Sequence, residues 1–176
     1  MTTKNDVVIY VIRDIEDAKT RSKEWMERCL EQHFGFVPDV CRQDSGKPFF
    51  ADPSLGFLSV SHTENIYLLA VCPQGEIGID AQIKTDGKDY RRVAAKYCPE
   101  SEDPKEFFRL WTAKEACCKL TGEGLAGIRN VQVDLSPFRA NISECGTVWL
   151  YDLSPAVGVP CTLAAKEEAT WKVNDL

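Results

Sequence analysis

Histidine is scarce in this chain, with two in 176 residues, and its eight cysteines include no Cys-x-x-Cys spacing. Cys29, Cys41, Cys72, Cys98, Cys117, Cys118, Cys145 and Cys161 are scattered along the sequence, so a zinc site is not expected. They read instead as free thiols of a cytoplasmic protein. No apolar run approaches the ~20 residues of a membrane span, and the N-terminus lacks the basic-then-apolar layout of an export signal. Positive charge is also in short supply: 21 Lys and Arg against 27 Asp and Glu leave a net charge of −6. That balance argues against a general nucleic-acid binder, because neutralising phosphates needs a basic face. Internal repeats and low-complexity segments are absent. The remaining composition, 44% apolar and 27% charged, is that of an ordinary globular chain. It is long enough for one domain or two small, closely packed halves.

The densest chemistry lies in residues 107–124. Pro104 upstream and Gly122 and Gly124 downstream bracket about four turns of helix. Phe107, Leu110, Trp111, Lys114 and Cys118 fall at helical spacing and form an inward stripe. Glu115 stands one turn beyond Trp111, and Lys119 one turn beyond Glu115. A carboxylate and an ammonium therefore meet beside a bulky aromatic that can keep water away. Such a pair is either an exposed i,i+4 contact contributing a few tenths of a kcal/mol or part of a site.

Earlier in the chain, the apolar run Val7–Ile12 predicts a central strand. Residues 17–34 predict a helix with Trp25, Met26, Cys29, Leu30 and Phe34 inward and Gly35 at its end. Lys19, Arg21 and Lys23 crowd its first turns against the helix dipole, either as indifferent surface charges or held for an anion. Residues 42–56 read as loop, in which Gly46-Lys47-Pro48 places a cation on a stiffened turn. Residues 57–62 and 66–72 predict a hairpin with Ser61 and His62 at its tip. In the strand at 76–83, alternation separates Ile77, Ile79, Ala81 and Ile83 from Gly78, Asp80 and Gln82. An acid there is costly to bury without a partner, so Asp80 is either an ordinary turn acid or a metal ligand. A helix from about Lys88 to Tyr97 aligns Lys88, Arg92 and Lys96, with Arg91 adjacent. Residues 131–135, 147–151 and 162–165 predict short antiparallel strands.

Gly46-Lys47-Pro48, Ser59-Val60-Ser61-His62, Gly78-Ile79-Asp80 and the Trp111-x-x-Lys114-Glu115-x-x-x-Lys119 pattern occur in an order and at spacings that resemble the 4′-phosphopantetheinyl transferases. The resemblance covers roughly residues 17–165 and is nearer to the larger, broad-specificity type than to the short trimeric synthases. It implies an α+β fold of two pseudo-twofold halves with antiparallel sheets and packed helices. The halves would be residues 1–78 and 79–176, with coenzyme A in the cleft between them. The implied reaction moves phosphopantetheine from coenzyme A to a serine of an apo acyl or peptidyl carrier protein and releases adenosine 3′,5′-bisphosphate. A diphosphate needs a hard cation with oxygen ligands, so Mg2+ on Asp80 and Glu115, with Gln82 near, is the implied metal site. By the same resemblance Glu115 takes the serine proton, Lys119 neutralises phosphate charge, and Arg21, Lys47 and His62 hold the phosphates of coenzyme A beside Pro48 and Ser61.

Two features depart from the family pattern. Gln82 stands where many larger members carry an acid, and the segment before Arg21 is short, so Lys19 competes with Arg21 for its role. The alternatives are a metal-dependent nuclease, since Gln82-Ile83-Lys84 follows Asp80, or an inactive coenzyme A- or carrier-binding module. Arg91, Arg92 and Lys96 are the expected carrier-docking face, against an ordinary solvated helix. The expected enzyme is a cytoplasmic monomer with no nucleic-acid or membrane partner.

Overall fold

The computed structural model describes residues 5–83, 90–101 and 103–176. The first apolar run forms β1 (Asn5–Ile12), with Val7, Ile9 and Val11 on one face and Tyr10 and Ile12 on the other. The expected helix at 17–34 begins later, as α1 (Ser22–Phe34). Asp17 adopts φ 52° and its carboxylate accepts a hydrogen bond from the Thr20 amide, which closes a turn in place of the first helical residues. Lys19 therefore lies before α1, and Arg21 sits at its N-cap. Gly35, at φ 77°, ends the helix by donating its amide to Glu31 O.

The stretch expected to be loop, 42–56, starts at the end of β2 (Val40–Arg42) and holds its partner β3 (Pro48–Phe50), a small hairpin turned at Gly46. Next come β4 (Phe57–His62) and β5 (Tyr67–Cys72), paired antiparallel as the alternation suggests. The strand bearing Asp80 is β6 (Ile77–Ala81), buried on both faces. Helix α2 (Tyr90–Tyr97) follows; the expected contributions of Lys84 and Lys88 lie outside the described residues. Helix α3 (Pro104–Thr121) starts at an Asp103 cap whose carboxylate accepts from the Glu106 amide, and it stops at Gly122. The remainder is β7 (Val131–Leu135), β8 (Phe138–Ile142), β9 (Gly146–Asp152), the short α4 (Ser154–Val157), β10 (Cys161–Ala165) and β11 (Ala169–Asp175). Strands β8 and β11 were not foreseen by the periodicity.

The class is α+β. One sheet has the order β11-β1-β5-β4 and the other β6-β10-β9-β8-β7. The second is antiparallel throughout, whereas β11 runs parallel to β1. The two sheets share a core of Val7, Ile9, Leu68, Ile77, Ile79 and Leu163. Trp25 and Leu30 of α1 cover the outer face of the first sheet, while Ala113, Ala116 and Leu120 of α3 cover that of the second. Each fully buried Leu or Ile in these layers contributes roughly 1.5–3 kcal/mol. The layers are thus helix, sheet, sheet, helix, and strands β4 and β6 meet where the sheets join.

Candidate active site

Gly78 determines how near α3 comes to β6. A side chain there would place Cβ 1.9 Å from the Ala116 carbonyl oxygen and 2.6 Å from the Leu120 amide nitrogen, so only glycine lets the helix backbone rest on the strand. Two residues on, Asp80 points toward that helix and is 3% exposed. Its Oδ1 accepts from Lys119 Nζ at 2.8 Å and from the Ser61 hydroxyl at 3.5 Å, and its Oδ2 accepts from Gln82 Nε2 at 3.1 Å. Lys119 also donates to the Val60 carbonyl at 3.1 Å. Donors of this kind offset the hydration that a carboxylate loses on burial.

Glu115 is half-buried on the same helix. Burial, and then the neighbouring charge of Asp80, push its carboxyl up to about 7, with Lys119 opposing. The two acids, drawn from a strand and a helix, therefore share one electrostatic environment. His62 closes this group at the end of β4; desolvation, then the charges of Lys119 and Lys19, lower its pKa and favour the neutral imidazole.

Asp80, Glu115, Lys119, Ser61, His62, Lys47 and Pro48 all line one cavity of about 330 Å3. Arg21 is not among the lining residues, although its neighbour Ser22 is. The Arg21 guanidinium is engaged with the Glu24 carboxylate, 2.9 Å from Nε, and lies 4.4 Å over the Trp25 ring. Lys19 instead makes its charge felt at His62. Lys47 reaches the cavity wall, but its ammonium caps the Leu120 carbonyl at the end of α3 and lies 3.4 Å from Glu76.

Gln82 lines a second cavity of about 280 Å3, with Thr63, Tyr90, Phe107, Phe108 and Trp111. His62 borders both. Trp111 thus belongs to an aromatic chamber beside the acids. Arg91, Arg92 and Lys96 are exposed on α2 and line neither cavity.

Lys114 was expected on the inward stripe, but its partners, and the places of Arg42 and Ser59, escaped the sequence reading. Lys114, in the same motif as Glu115, is a buried tie: it donates to the Tyr97 carbonyl at 2.6 Å and to Glu100 at 2.9 Å. Its inward place on the helical stripe was the available signal. Arg42 lines the larger cavity and donates to the Gly46 carbonyl at 2.8 Å, but a lone arginine before a turn carries no signature. Ser59 faces the same side of β4 as Ser61, an i,i+2 relation readable from strand alternation.

A model of the 4′-phosphopantetheinyl transferase superfamily matches residues 76–156, the segment that holds both Asp80 and Glu115. Over that segment the chain is similar to the 4′-phosphopantetheinyl transferase superfamily. It is 31% identical over 155 residues to the 4′-phosphopantetheinyl transferase HetI of Nostoc sp., covering 77% of this chain and 65% of HetI. A putative 4′-phosphopantetheinyl transferase of Synechocystis sp. is 30% identical over 116 residues, 56% of this chain and 44% of that protein. The 4′-phosphopantetheinyl transferase AcpT of Salmonella typhimurium is 28% identical over 135 residues, 70% of this chain and 68% of AcpT. The chain therefore spans less than two thirds of the first two relatives. Within the superfamily match lie β6 and α3 but not β3 or β4, so Lys47 and His62 are outside it.

Proposed function

We propose that this chain transfers the 4′-phosphopantetheine group of coenzyme A to a serine hydroxyl of an apo carrier protein, releasing adenosine 3′,5′-bisphosphate. The observation that carries this reading is the acid pair Asp80 and Glu115, set by β6 and α3 against Lys119 in a cavity of about 330 Å3. The donor set fits a hard divalent cation. Burial and the charge of Asp80 raise the proton affinity of Glu115, a penalty that a cation between the two acids would relieve, and the ligand atoms of both are oxygens. Among the described residues no cluster of three His, Cys, Asp or Glu exists, which leaves the remaining coordination to water and substrate oxygens. Asp80 and Glu115 would hold Mg2+, with Gln82 orienting the Asp80 carboxylate. When bound, the ion supplies charge neutralisation at the diphosphate.

The chain's own groups account for the rest. Ionised Glu115 accepts the proton of the attacking serine, directly or through water, as the new oxygen–phosphorus bond forms. The diphosphate bond breaks with its electrons on the departing adenosine bisphosphate, whose charge Lys119 faces. Neutral His62 offers a donor in the cavity that Pro48 and Lys47 also line, and Arg21 or Lys19 would add positive charge for the phosphates. The aromatic chamber of Tyr90, Phe107, Phe108 and Trp111 opens beside the acids from the other side. It suits the uncharged pantetheine arm and the approach of the carrier.

We place the chain with the larger, broad-specificity type, because one chain supplies both sheets flanking the cavity. In this reading residues 1–78 and 79–176 are the two halves, acting together as a monomer. Free, mostly buried cysteines suit a reducing cytoplasm, and no described helix is long and apolar enough to cross a membrane. The test is to incubate the protein with coenzyme A, Mg2+ and an apo carrier and to weigh the carrier. A gain of one phosphopantetheinyl group is expected; an unchanged carrier across fatty-acid, peptide and polyketide types would overturn the assignment.

A further inference from the structure

Strands β4 and β6 lie side by side at the junction of the two sheets, yet they do not form a ladder with one another. The inner edge of β6 turns two amides toward β4, those of Ile79 and Ala81. Each finds a side chain instead of a carbonyl. The Ile79 amide donates to Ser59 Oγ at 3.0 Å, and the Ala81 amide donates to Ser61 Oγ at 3.0 Å. Both serines are 3% exposed. The residue between the two held amides is Asp80, whose other edge is pinned by pairing with Thr162 of β10. Between the two serines stands Val60, whose carbonyl accepts from Lys119. Three consecutive residues of β4 thus grip the Gly78–Ile79 peptide, the ammonium that faces the Asp80 carboxylate, and the Asp80–Ala81 peptide.

We propose that Ser59, together with Ser61, is a positioning residue of the acid pair: its hydroxyl fixes the β6 backbone so that Asp80 meets Lys119 and Glu115 in one arrangement. This rests on the transferase reading above. Hydrogen-bonded neighbouring strands stand ~4.7–4.9 Å apart. A hydroxyl interposed between edges instead lets the sheets join without merging, and leaves the gap that the Asp80 and Lys119 side chains enter. Ser59 need not touch substrate for this role. The hydroxyl of Ser61 is already committed to the Ala81 amide and the Asp80 carboxylate, which makes it a second positioning group more than a ligand for coenzyme A.

The test compares Ser59→Ala, Ser59→Cys and Ser59→Thr with the parent protein by three readouts: amide exchange at Ile79, Mn2+ affinity by calorimetry, and transfer kinetics. Ser59→Ala is expected to speed exchange at Ile79 tenfold or more, to weaken Mn2+ at least fivefold, and to lower kcat by a similar factor. The KM for coenzyme A should stay within twofold, and Ser59→Thr should restore all three. Ser59→Cys, close in shape with a poor acceptor, should follow Ser59→Ala if the alanine variant does not fold. Faster exchange with unchanged Mn2+ affinity and kcat would reduce Ser59 to a structural tie and overturn the proposal; so would unchanged exchange at Ile79. If the parent protein transfers nothing, the transferase reading falls, and Mn2+ affinity still decides whether Ser59 positions Asp80.

Discussion

Glu115 holds a carboxyl whose pKa in the fold, about 7, lies well above the ordinary value near 4.5. The protonated form is the one the metal-free fold prefers. Its contribution to stability is complete below the unfolded value and is lost as pH rises from about 4.5 through about 7. Ionising it at pH 8 without a divalent cation should therefore cost on the order of 2–3 kcal/mol. Glu115→Gln is expected to raise Tm in EDTA at pH 8 and to leave it nearly unchanged at pH 5, while abolishing transfer; calorimetric scans at the two pH values check this. Gln82 is the neighbouring case. Its amide nitrogen satisfies one oxygen of Asp80, so Gln82→Glu should lower Tm in EDTA yet lower the Mg2+ concentration for half-maximal rate, since ligand charge sets affinity. A Mg2+ titration that does not move would remove residue 82 from the site. Most of the acid site was legible at this scale, because Asp80, Glu115 and Lys119 sit in motifs whose spacing is local. The partners of Lys47 and Arg21 were not legible. Glu76 and Leu120 reach Lys47 only through tertiary packing, and the Trp25 face that draws Arg21 depends on where α1 begins.

At the scale of elements, the contact between β6 and α3 is the tightest constraint on the chemistry. Gly78→Ala would drive a methyl into the helix backbone, and backbone cannot yield as a flexible side chain does. The expected cost is about 3 kcal/mol or more, with transfer lost in step because Asp80 and Glu115 separate; denaturant unfolding measures the first and carrier mass the second. Helix α3 itself was readable from Pro104 and Gly122, since its stop signals are local chemistry. Strand β8 was missed because it follows Ser136-Pro137 in a turn-like stretch with mixed burial. The β2–β3 hairpin hid in a composition of Gly, Pro, Asp and Ser because each strand has only three residues.

For the whole molecule, charge and topology matter most. Under the proposed transfer, a protein of net charge −6 would need a local basic face to meet an acidic carrier without slow encounter. Arg91, Arg92 and Lys96 are exposed on α2 and are the face proposed for this contact. Reversing Arg92 and Lys96 to Glu is expected to raise the KM for the carrier several-fold, most at low ionic strength, and to leave the KM for coenzyme A alone; steady-state kinetics at two salt concentrations decide it. The topology was the least legible feature, because β11 returns from the far end of the chain to lie beside β1. Its residues are largely exposed and it lacks an apolar run, so its partner is set by an open sheet edge that sequence alone does not reveal.

That returning strand has a mechanical consequence. Strands β1 and β11 run parallel over seven paired positions, from Asn5 beside Ala169 to Val11 beside Asp175. Tension applied between the start of β1 and the end of β11 would pull the two strands lengthwise in opposite directions. Every cross-strand bond would then bear load together, as in a lap joint, instead of opening one after another like a zipper.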